Sequence, residues 1–444
     1  MALTEAKTFE EAKELDDKYV MHTFGRKPVM LVEGKGMTVK DDTGKEYLDF
    51  IAGIGVDSLG HCHPAVVDAI KEQAEKLIHV SNYYYIEKRG EVAKMISAMA
   101  NEDVPKFYRA PWLTFFANSG AEANECAIKL ARAYSKRYST GGQTIIVLTN
   151  SFHGRTLATL AATAQPAKQE LFEPLPEGFV PVPMNDMHAL KQAFADADGM
   201  VAAVLVECIQ GEGGVHPCDE DYLCDVMQYA RKFGALVISD EVQTGVYRTG
   251  KPFAFQSFGF TPDIFTMAKG IASGFPMGAC VARVEVAEAF HPGDHGSTFG
   301  GSNLAVAAAH ATLSTLMKEP FVKEIEELGC YFADKLEALD DVVEVRGMGL
   351  MVGADISEDL DANVVVLEGL KKGFLLNATS ARTLRFLPPL ICTEAEINAV
   401  VEALPGLFAD ARATMAAKAE AEAQADPAKA EAEAMAAQVK DLLG

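Results

Sequence analysis

Short segments made wholly of apolar residues recur through the middle of the chain, and each ends at a polar or glycine-rich turn. A strand that is apolar at every position is buried on both faces, as in a parallel sheet covered by helices. Helical patterns follow several of these segments, and the clearest spans Ala121–Tyr138. The pattern therefore predicts an α/β architecture. The predicted strands are Leu113–Ala117, Thr144–Leu148, Val201–Val206, Ala235–Ser239, Asp263–Ala268 and Gly278–Ala282.

The two ends of the chain have a different pattern. About the first 20 residues predict an acidic amphipathic helix, and strands over 29–36 and 37–44 follow it, with a hairpin turn at Asp42–Gly44. From about Asn303, a long Ala-rich helix precedes three predicted strands, which is typical of a smaller α+β domain. These strands are Val342–Arg346, Leu350–Ile356 and Thr383–Phe386.

The chain therefore divides into four expected parts. After about Thr414, alanine, glutamate and lysine predominate around a single proline, which predicts a solvated, partly helical tail. We expect an N-terminal segment, 1–60, that packs with the small domain, a large domain over 61–305, the small domain over 306–413, and the tail over 414–444.

The charge of the chain excludes several partners. Lysine and arginine number 40 against 63 aspartates and glutamates, a net charge of −23. Such a protein repels phosphate backbones, and no basic cluster offsets this, so we expect no nucleic-acid partner. No apolar run approaches the roughly 20 residues of a membrane span, and the acidic N-terminus does not resemble a targeting segment. We therefore expect a soluble, cytoplasmic protein whose eight scattered cysteines are reduced.

Three motifs that suggest other functions are incomplete. Gly245–Lys251 matches most of a phosphate-binding loop, but Pro252 stands where a hydroxyl should bind magnesium. Gly347–Gly349 lacks a third glycine and Gly211–Gly214 lacks a following helix, so dinucleotide binding is not predicted. The adjacent side chains of His61–His63 are poorly placed around one tetrahedral ion, and no second ligand cluster is evident. We therefore predict no metal site.

A better candidate for a phosphate site is Asn118–Asn124, which follows an apolar strand and opens the clearest helix. Free amide hydrogens and the positive end of the helix dipole favour an anion at such a position. Ser119 is suited to cap the helix, and Gly120 lets a phosphate approach the backbone. From this segment alone, simple capping by Ser119 explains the pattern equally well.

Two apolar strands end in residues with reactive side chains. One ends in Asp240 and Glu241, and the other leads to Lys269 beside a glycine. Ligands of open α/β sheets gather at the carboxyl ends of strands, where a lysine among apolar residues can become a nucleophile towards carbonyls. An acid nearby can pair with a protonated ring nitrogen. Together with a phosphate site, these are the parts of a pyridoxal 5′-phosphate site. Taken alone, Lys269 is more typical of a solvated lysine at a strand end.

From Pro28 to Ala403 the sequence resembles the class III aminotransferases, and within them it is most similar to the acetylornithine group. The resemblance implies the fold-type I architecture of pyridoxal-phosphate enzymes, with a mainly parallel seven-stranded sheet covered by helices and a smaller α+β domain. The matching segments are GKGM at 34–37, HCHP at 61–64, NSGAEAN at 118–124, SFHGRT at 151–156, QGEGG at 210–214, SDEVQTG at 239–245, AKG at 268–270, GDHGSTFGG at 293–301 and LRFLPP at 384–389.

The resemblance implies roles for the residues around the pyridine ring. Lys269 would bind the cofactor covalently and, once released, move a proton between two of its carbons. Asp240 would keep the ring nitrogen protonated, and Gln243 would hydrogen-bond the ring hydroxyl. Phe152 would stack on one ring face and Val242 on the other. Ordinary core packing remains the alternative for the last two residues.

The resemblance also implies which residues bind the phosphate and the substrates. Ser119, Gly120 and Ala121 would hold the phosphate, and Thr298 would reach it from a neighbouring subunit, so a homodimer with shared active sites is implied. The substrate-binding residues would be Arg155, Glu207, Ser297 and Arg385. Arg385 would hold a carboxylate, and Glu207 would pair with this arginine when a diamine is bound. The alternatives are an ordinary ion pair for either arginine and a turn role for Ser297 and Thr298.

The activity implied is transfer of the δ-amino group of N2-acetylornithine to 2-oxoglutarate, a step of arginine synthesis. One departure leaves the amino donor open: Tyr84-Tyr85 is followed by Ile86–Arg89, where acetylornithine enzymes commonly have Glu-Pro-Gln. Ornithine, 4-aminobutyrate and succinyldiaminopimelate are the alternative donors. A non-enzymatic protein on the same fold is the alternative from another class, which the presence of both Lys269 and Asp240 disfavours.

Overall fold

A computed structural model of the chain describes residues 7–102, 104, 106 and 109–443. Helices and strands alternate through its centre. The helices are α1 (Phe9–Tyr19), α2 (Ala52–Gly55), α3 (Pro64–Lys76), α4 (Arg89–Ala100), α5 (Gly120–Tyr138), α6 (Leu157–Ala162), α7 (Pro166–Gln169), α8 (Met187–Asp196), α9 (Glu220–Lys232), α10 (Ala254–Ser257), α11 (Val284–Ala287), α12 (Asn303–Leu316), α13 (Ile325–Glu337), α14 (Ala362–Lys372) and α15 (Glu394–Leu443).

The strands are β1 (Leu31–Lys35), β2 (Thr38–Asp41), β3 (Glu46–Asp49), β4 (Trp112–Ala117), β5 (Thr144–Leu148), β6 (Phe179–Val182), β7 (Val201–Val206), β8 (Ile209–Gln210), β9 (His216–Pro217), β10 (Leu236–Asp240), β11 (Ile264–Met267), β12 (Gly278–Arg283), β13 (Val342–Met348), β14 (Met351–Ile356), β15 (Phe374–Leu375), β16 (Asn377–Ala378) and β17 (Thr383–Phe386).

Seven strands form the central sheet, in the order β4-β12-β11-β10-β7-β5-β6. The pairings among β11, β10, β7, β5 and β6 are parallel, and β12 runs antiparallel to both of its neighbours. Every residue of β7 and β10 is buried, as the continuous apolar runs predict. The mainly parallel seven-stranded sheet covered by helices is confirmed.

Strand β6 is the member of this sheet that the apolar runs do not reveal. Its sequence is Phe-Val-Pro-Val, and only Val182 is fully buried. Proline lacks the amide hydrogen that a central strand needs, but an edge strand tolerates it. Because β6 pairs on one side only, with β5, Pro181 is compatible with its position.

Helix α5 lies against the central sheet and starts where β4 ends. The Ser119 side chain accepts a hydrogen bond from the Glu122 amide, 3.2 Å away, and so caps the first turn. One face of the helix is buried among β12, β11 and β7, including Ala123, Ala127 and Ala131. Capping and burial together direct the amino end of α5 towards the edge where Asp240 lies.

Two smaller sheets lie outside the central one. The first combines β1, β2 and β3 with β15, so the N-terminal segment pairs with a strand from the C-terminal part. The second is antiparallel, in the order β13-β14-β17-β16, and carries Arg385 on β17. The limits of the four expected parts of the chain stay a prediction.

The C-terminal helix α15 is more regular than the sequence suggests. Its first part is docked, with the Thr414 hydroxyl donating to Glu368 at 2.8 Å and Arg412 paired with Asp341 and Asp359. We expected a partly helical tail, but the helix continues without a break to Leu443. The reason is composition, because alanine, glutamate and lysine are strong helix formers even without an apolar face to bury. None of the helices in the described ranges has the length and apolarity that crossing a membrane would take.

Candidate active site

The carboxyl ends of β10 and β11 and the amino end of α5 open onto one cavity of about 390 Å³. This is the edge at which open α/β sheets bind ligands. Ten of the residues singled out from the sequence line it: Ser119, Gly120, Ala121, Phe152, Arg155, Glu207, Asp240, Val242, Gln243 and Lys269.

Lys269 follows β11 after a single intervening residue and begins a short 3₁₀ helix. Its backbone has a φ of +41°, in the left-handed region that costs a non-glycine residue free energy and is found mostly at functional sites. Burial lowers the pKa of the amine from 10.5 to about 8; nearby Glu212 raises it and Arg385 lowers it further. The amine is therefore much closer to its neutral, nucleophilic form at neutral pH than an ordinary lysine.

The Asp240 carboxylate is fixed by groups from three other elements. Its Oδ2 lies 2.7 Å from His153 Nδ1 and accepts from Asn124 Nδ2 at 2.8 Å. Its Oδ1 accepts from the Val242 amide at 3.0 Å, and Thr266 donates to Asn124 at 2.7 Å. These bonds leave the carboxylate little freedom to rotate.

Sequence analysis did not identify His153 or Asn124 as part of the site. Both lie inside motifs that were recognised, SFHGRT and NSGAEAN, but their contact with Asp240 depends on the packing of β10 beside α5. The signal that could have found them is helical spacing, because Asn124 lies four residues after Gly120 and shares its face of α5.

At the other side of the cavity, the amides of Gly120 and Ala121 precede the first intrahelical hydrogen bond of α5, from Ala123 to Ser119. They are therefore available to an anion at the positive end of the helix dipole. A Cβ atom at Gly120 would come within 2.7 Å of Cγ1 of Val242, so this close approach requires glycine.

Arg385 is buried beside the cavity and is already paired. Its Nη1 lies 2.5 Å from Oε1 of Glu212 and 3.2 Å from both Oε1 of Gln243 and the Gly211 carbonyl. Its Nε donates to Asn377 at 3.0 Å. Burial alone would raise the pKa of Glu212, but the charge and hydrogen bond of Arg385 outweigh it, and the pKa is lowered.

In this structure the carboxylate that pairs with Arg385 is Glu212. Glu207, which the resemblance pairs with Arg385 when a diamine is bound, has other partners here. Glu207 instead accepts hydrogen bonds from the Phe152 amide at 2.8 Å and the Gly211 amide at 3.2 Å. Burial raises the pKa of Glu207 to about 7, and the charge of Asp240 adds to this effect. The two carboxylates differ in position because Glu207 directly follows β7, which ends at Val206, whereas Glu212 lies on the turn beside β17.

Besides Arg385, two predicted residues do not line the cavity of their own chain. Ser297 accepts a hydrogen bond from Asn118 Nδ2 at 3.2 Å and from the Gly300 amide at 3.0 Å. Thr298 is exposed on the same segment. Their expected roles in the site stay predictions.

The sequence profile of the family described as Aminotransferase class-III matches residues 20–407. The chain is a class-III aminotransferase. Two relatives have nearly half of their aligned residues in common with this chain. Acetylornithine aminotransferase of Methanocaldococcus jannaschii is 49% identical over 89% of this chain and 98% of its own length, and that of Caldanaerobacter subterraneus subsp. tengcongensis is 48% identical over 89% and 99%.

Solved structures of aminotransferases have a similar fold. The ornithine aminotransferase of Toxoplasma gondii has a TM-score of 0.84 at 32% identity and covers 92% of this chain and 96% of its own. The acetylornithine aminotransferase of Elizabethkingia anophelis has a TM-score of 0.78 at 33% identity, over 91% and 100%. The fold expected from the resemblance is confirmed.

The cofactor of the class-III aminotransferases is pyridoxal 5′-phosphate, and the cavity fits this molecule. The free amides of Gly120 and Ala121 suit the phosphate, and the amine of Lys269, with its lowered pKa, suits the aldehyde. The fixed carboxylate of Asp240 suits a protonated ring nitrogen. Bound pyridoxal phosphate supplies an electron sink for the carbon that carries the amine.

Proposed function

We propose that this aminotransferase moves the δ-amino group of N2-acetyl-L-ornithine to 2-oxoglutarate, giving N-acetyl-L-glutamate 5-semialdehyde and L-glutamate. The observation that carries the proposal is the pair of Arg385 and Glu212. Glu212 neutralises the buried arginine beside the cavity, while Arg155 lines the cavity from an exposed position. A donor with its reacting amine far from its carboxylate fits this arrangement. The names of the relatives at 48 and 49% identity support the same donor.

In the proposed reaction, Lys269 and Asp240 have separate tasks. The neutral Nζ of Lys269 accepts the proton that leaves the amine-bearing carbon and returns it to another carbon. Asp240, held by His153 and Asn124, keeps a proton on the ring nitrogen throughout. This fixed carboxylate stabilises charge that develops along the reaction path without having to reorient.

Arg385 and Glu212 would distinguish the two half-reactions. With acetylornithine bound, Glu212 covers Arg385, so the guanidinium does not attract the donor carboxylate into the wrong end of the cavity. With 2-oxoglutarate bound, Glu212 turns away and Arg385 holds the carboxylate beside the keto group through its planar fork. Gln243 contacts both Glu212 and Arg385, so it can keep a hydrogen bond to one of them in either half-reaction.

The protein is further proposed to work as a cytoplasmic homodimer whose subunits share active sites. Support comes from the exposed segment that carries Ser297 and Thr298, and from exposed aromatic side chains at Tyr83–Tyr85 and Phe299. Contiguous exposed aromatic surface is typical of protein interfaces. We also propose that the four parts of the chain given above are its structural divisions.

A comparison of amino donors tests the proposed function. The purified protein, loaded with pyridoxal phosphate, is assayed with 2-oxoglutarate and each of N2-acetylornithine, ornithine, 4-aminobutyrate and succinyldiaminopimelate. We expect kcat/KM for N2-acetylornithine to exceed the others by about tenfold or more, the size of one charged or polar contact. Lys269→Ala should be inactive with all four. A higher kcat/KM for another donor would overturn the proposal.

A further inference from the structure

Two cations lie over one aromatic ring that lines the cavity. The guanidinium carbon of Arg155 is 5.5 Å from the centroid of the Phe152 ring, and Nζ of Lys168 is 6.0 Å from the same centroid. Phe152 and Arg155 both line the cavity. Lys168 lies on α7, outside every motif of the sequence analysis.

Neither cation forms an ion pair with a carboxylate in the part of the chain that the structure describes. The amine of Lys168 donates to the neutral side chain of Gln165. Burial and then the charge of Arg155 lower the pKa of Lys168, whereas Glu212 raises it. Two like charges that face one ring without an anion between them repel each other, and a bound anion would remove this cost.

The turn that carries Lys168 is held in place on both sides. Gln165 Nε2 donates to the carbonyls of Asn150 and Ser151, at 3.1 and 3.0 Å. Gln169 Nε2 donates to the Thr163 carbonyl at 2.8 Å. Since these bonds fix the backbone, the side chain of Lys168 extends towards the Phe152 ring from a set position.

The resemblance already places Arg155 at the substrate, and we propose that Lys168 adds a second cation there, so that the two side chains form an outer anion subsite for the donor carboxylate that is remote from the reacting amine. Lys168 is then a specificity-determining residue. This inference rests on the proposed function, because it concerns the donor of that reaction. The subsite is separate from Arg385, whose charge is already matched by Glu212.

The geometry gives each cation a distinct task. Arg155 offers a planar fork that can bind both oxygens of a carboxylate, and the compact ammonium of Lys168 adds charge beside the ring. Phe152 excludes water from one side of the subsite, which strengthens both attractions. A donor without the remote carboxylate gains nothing from Lys168.

The test compares two donors in the first half-reaction, followed as the change in cofactor absorbance. N2-acetylornithine carries the remote carboxylate, and N-acetylputrescine has the same chain and acetyl group without it. For Lys168→Met we expect the rate constant at low donor concentration to fall about tenfold with N2-acetylornithine and to be unchanged with N-acetylputrescine. Lys168→Arg should retain most of the wild-type rate. Lys191→Met is the matched control, since Lys191 also lies over an aromatic ring, Tyr229, but on α8.

An equal fall with both donors would overturn the inference, because it would show a general structural role for Lys168. A second measurement separates this from failure of the proposed function. Glutarate, an unreactive dicarboxylate, is titrated into the holoenzyme, and we expect binding about tenfold weaker in Lys168→Met than in the wild type. If N2-acetylornithine is a poor donor but glutarate binding depends on Lys168, only the proposed function fails. Equal glutarate affinity would remove the outer subsite whatever the donor.

Discussion

At the scale of single residues, the site depends on an amine that is kept largely uncharged by its surroundings. Burial brings the pKa of Lys269 to about 8, and a free amine is needed to attack the cofactor aldehyde. We therefore expect the rate of cofactor capture by the apoprotein to rise with pH up to about 8 and then level off. Stopped-flow absorbance after mixing with pyridoxal phosphate measures this rate. A rate that continues to rise towards pH 10, as for an exposed lysine, would contradict the prediction.

Glu212 is the residue at which a neutral substitution should change substrate preference. Glu212→Gln keeps the size of the side chain but removes the charge that matches Arg385. The freed guanidinium should attract α-carboxylates, so we expect the ratio of kcat/KM for glutamate to that for N2-acetylornithine to rise about tenfold or more.

The control for this change is Glu344→Gln, because Glu344 also faces an arginine, Arg346, but its own side chain is exposed on β13. Its steady-state constants should match those of the wild type. An unchanged donor ratio in Glu212→Gln would show that Arg385 is not gated by this carboxylate.

The sequence largely predicted which residues line the cavity, but it did not predict which of their side chains are in contact. Lys269 and Asp240 each follow a buried apolar strand, and parallel strands bring their carboxyl ends to one edge. The partner of Arg385 depends instead on the path of the turn after β7, which apolar patterning does not encode. The resemblance pointed to Glu207 as the partner of Arg385 when a diamine is bound, whereas Glu212 is the partner in this structure.

At the scale of elements, the amino end of α5 combines a helix cap with a close contact to the loop after β10. An alanine at Gly120 would favour the helix, but its Cβ would come within 2.7 Å of Val242. Relief of this overlap costs about 1–3 kcal/mol and displaces the amides of Gly120 and Ala121, which are expected to bind the phosphate. We therefore expect Gly120→Ala to weaken cofactor binding about tenfold or more, as measured by equilibrium titration of the apoprotein.

Gly90→Ala is the matched control for that substitution. Gly90 lies in the first turn of α4, and a Cβ there would meet no atom within 4 Å. We expect unchanged cofactor affinity and a small gain in thermal stability from the higher helix propensity of alanine. If both alanine variants bind the cofactor like the wild type, the close contact at Gly120 has no role in binding.

The strands that could be predicted from the sequence are those that are buried on both faces. Continuous apolar runs in the sequence predict strands such as β7 and β10. Strand β6 does not, since it lies at an edge, is partly exposed and contains Pro181. The sequence pattern underestimated the length of the C-terminal helix α15. Its last residues have high intrinsic helix propensity but lack the apolar periodicity by which helices are recognised.

At the scale of the whole molecule, the C-terminal part is tied to the central sheet near the site. Arg248 is fully buried, and its Nη1 donates to the carbonyls of Leu350, at 3.0 Å, and Pro388, at 2.5 Å. The Leu350 amide in turn donates to the Arg248 carbonyl. Since Pro388 closely follows Arg385, these bonds set the position of the inner arginine relative to the cavity.

The proposed sharing of active sites between subunits can be tested by combining two defective variants. Lys269→Ala destroys its own cavity but keeps Thr298, and Thr298→Asp places a negative charge where a neighbour's phosphate is expected to bind. Co-expressed subunits would form mixed dimers with one intact site, so we expect about a quarter of the wild-type activity although each variant alone is nearly inactive. Co-expression of Lys269→Ala with Asp240→Asn, both in the cavity of one chain, should restore nothing. Equal results for the two combinations would mean that each subunit completes its own site.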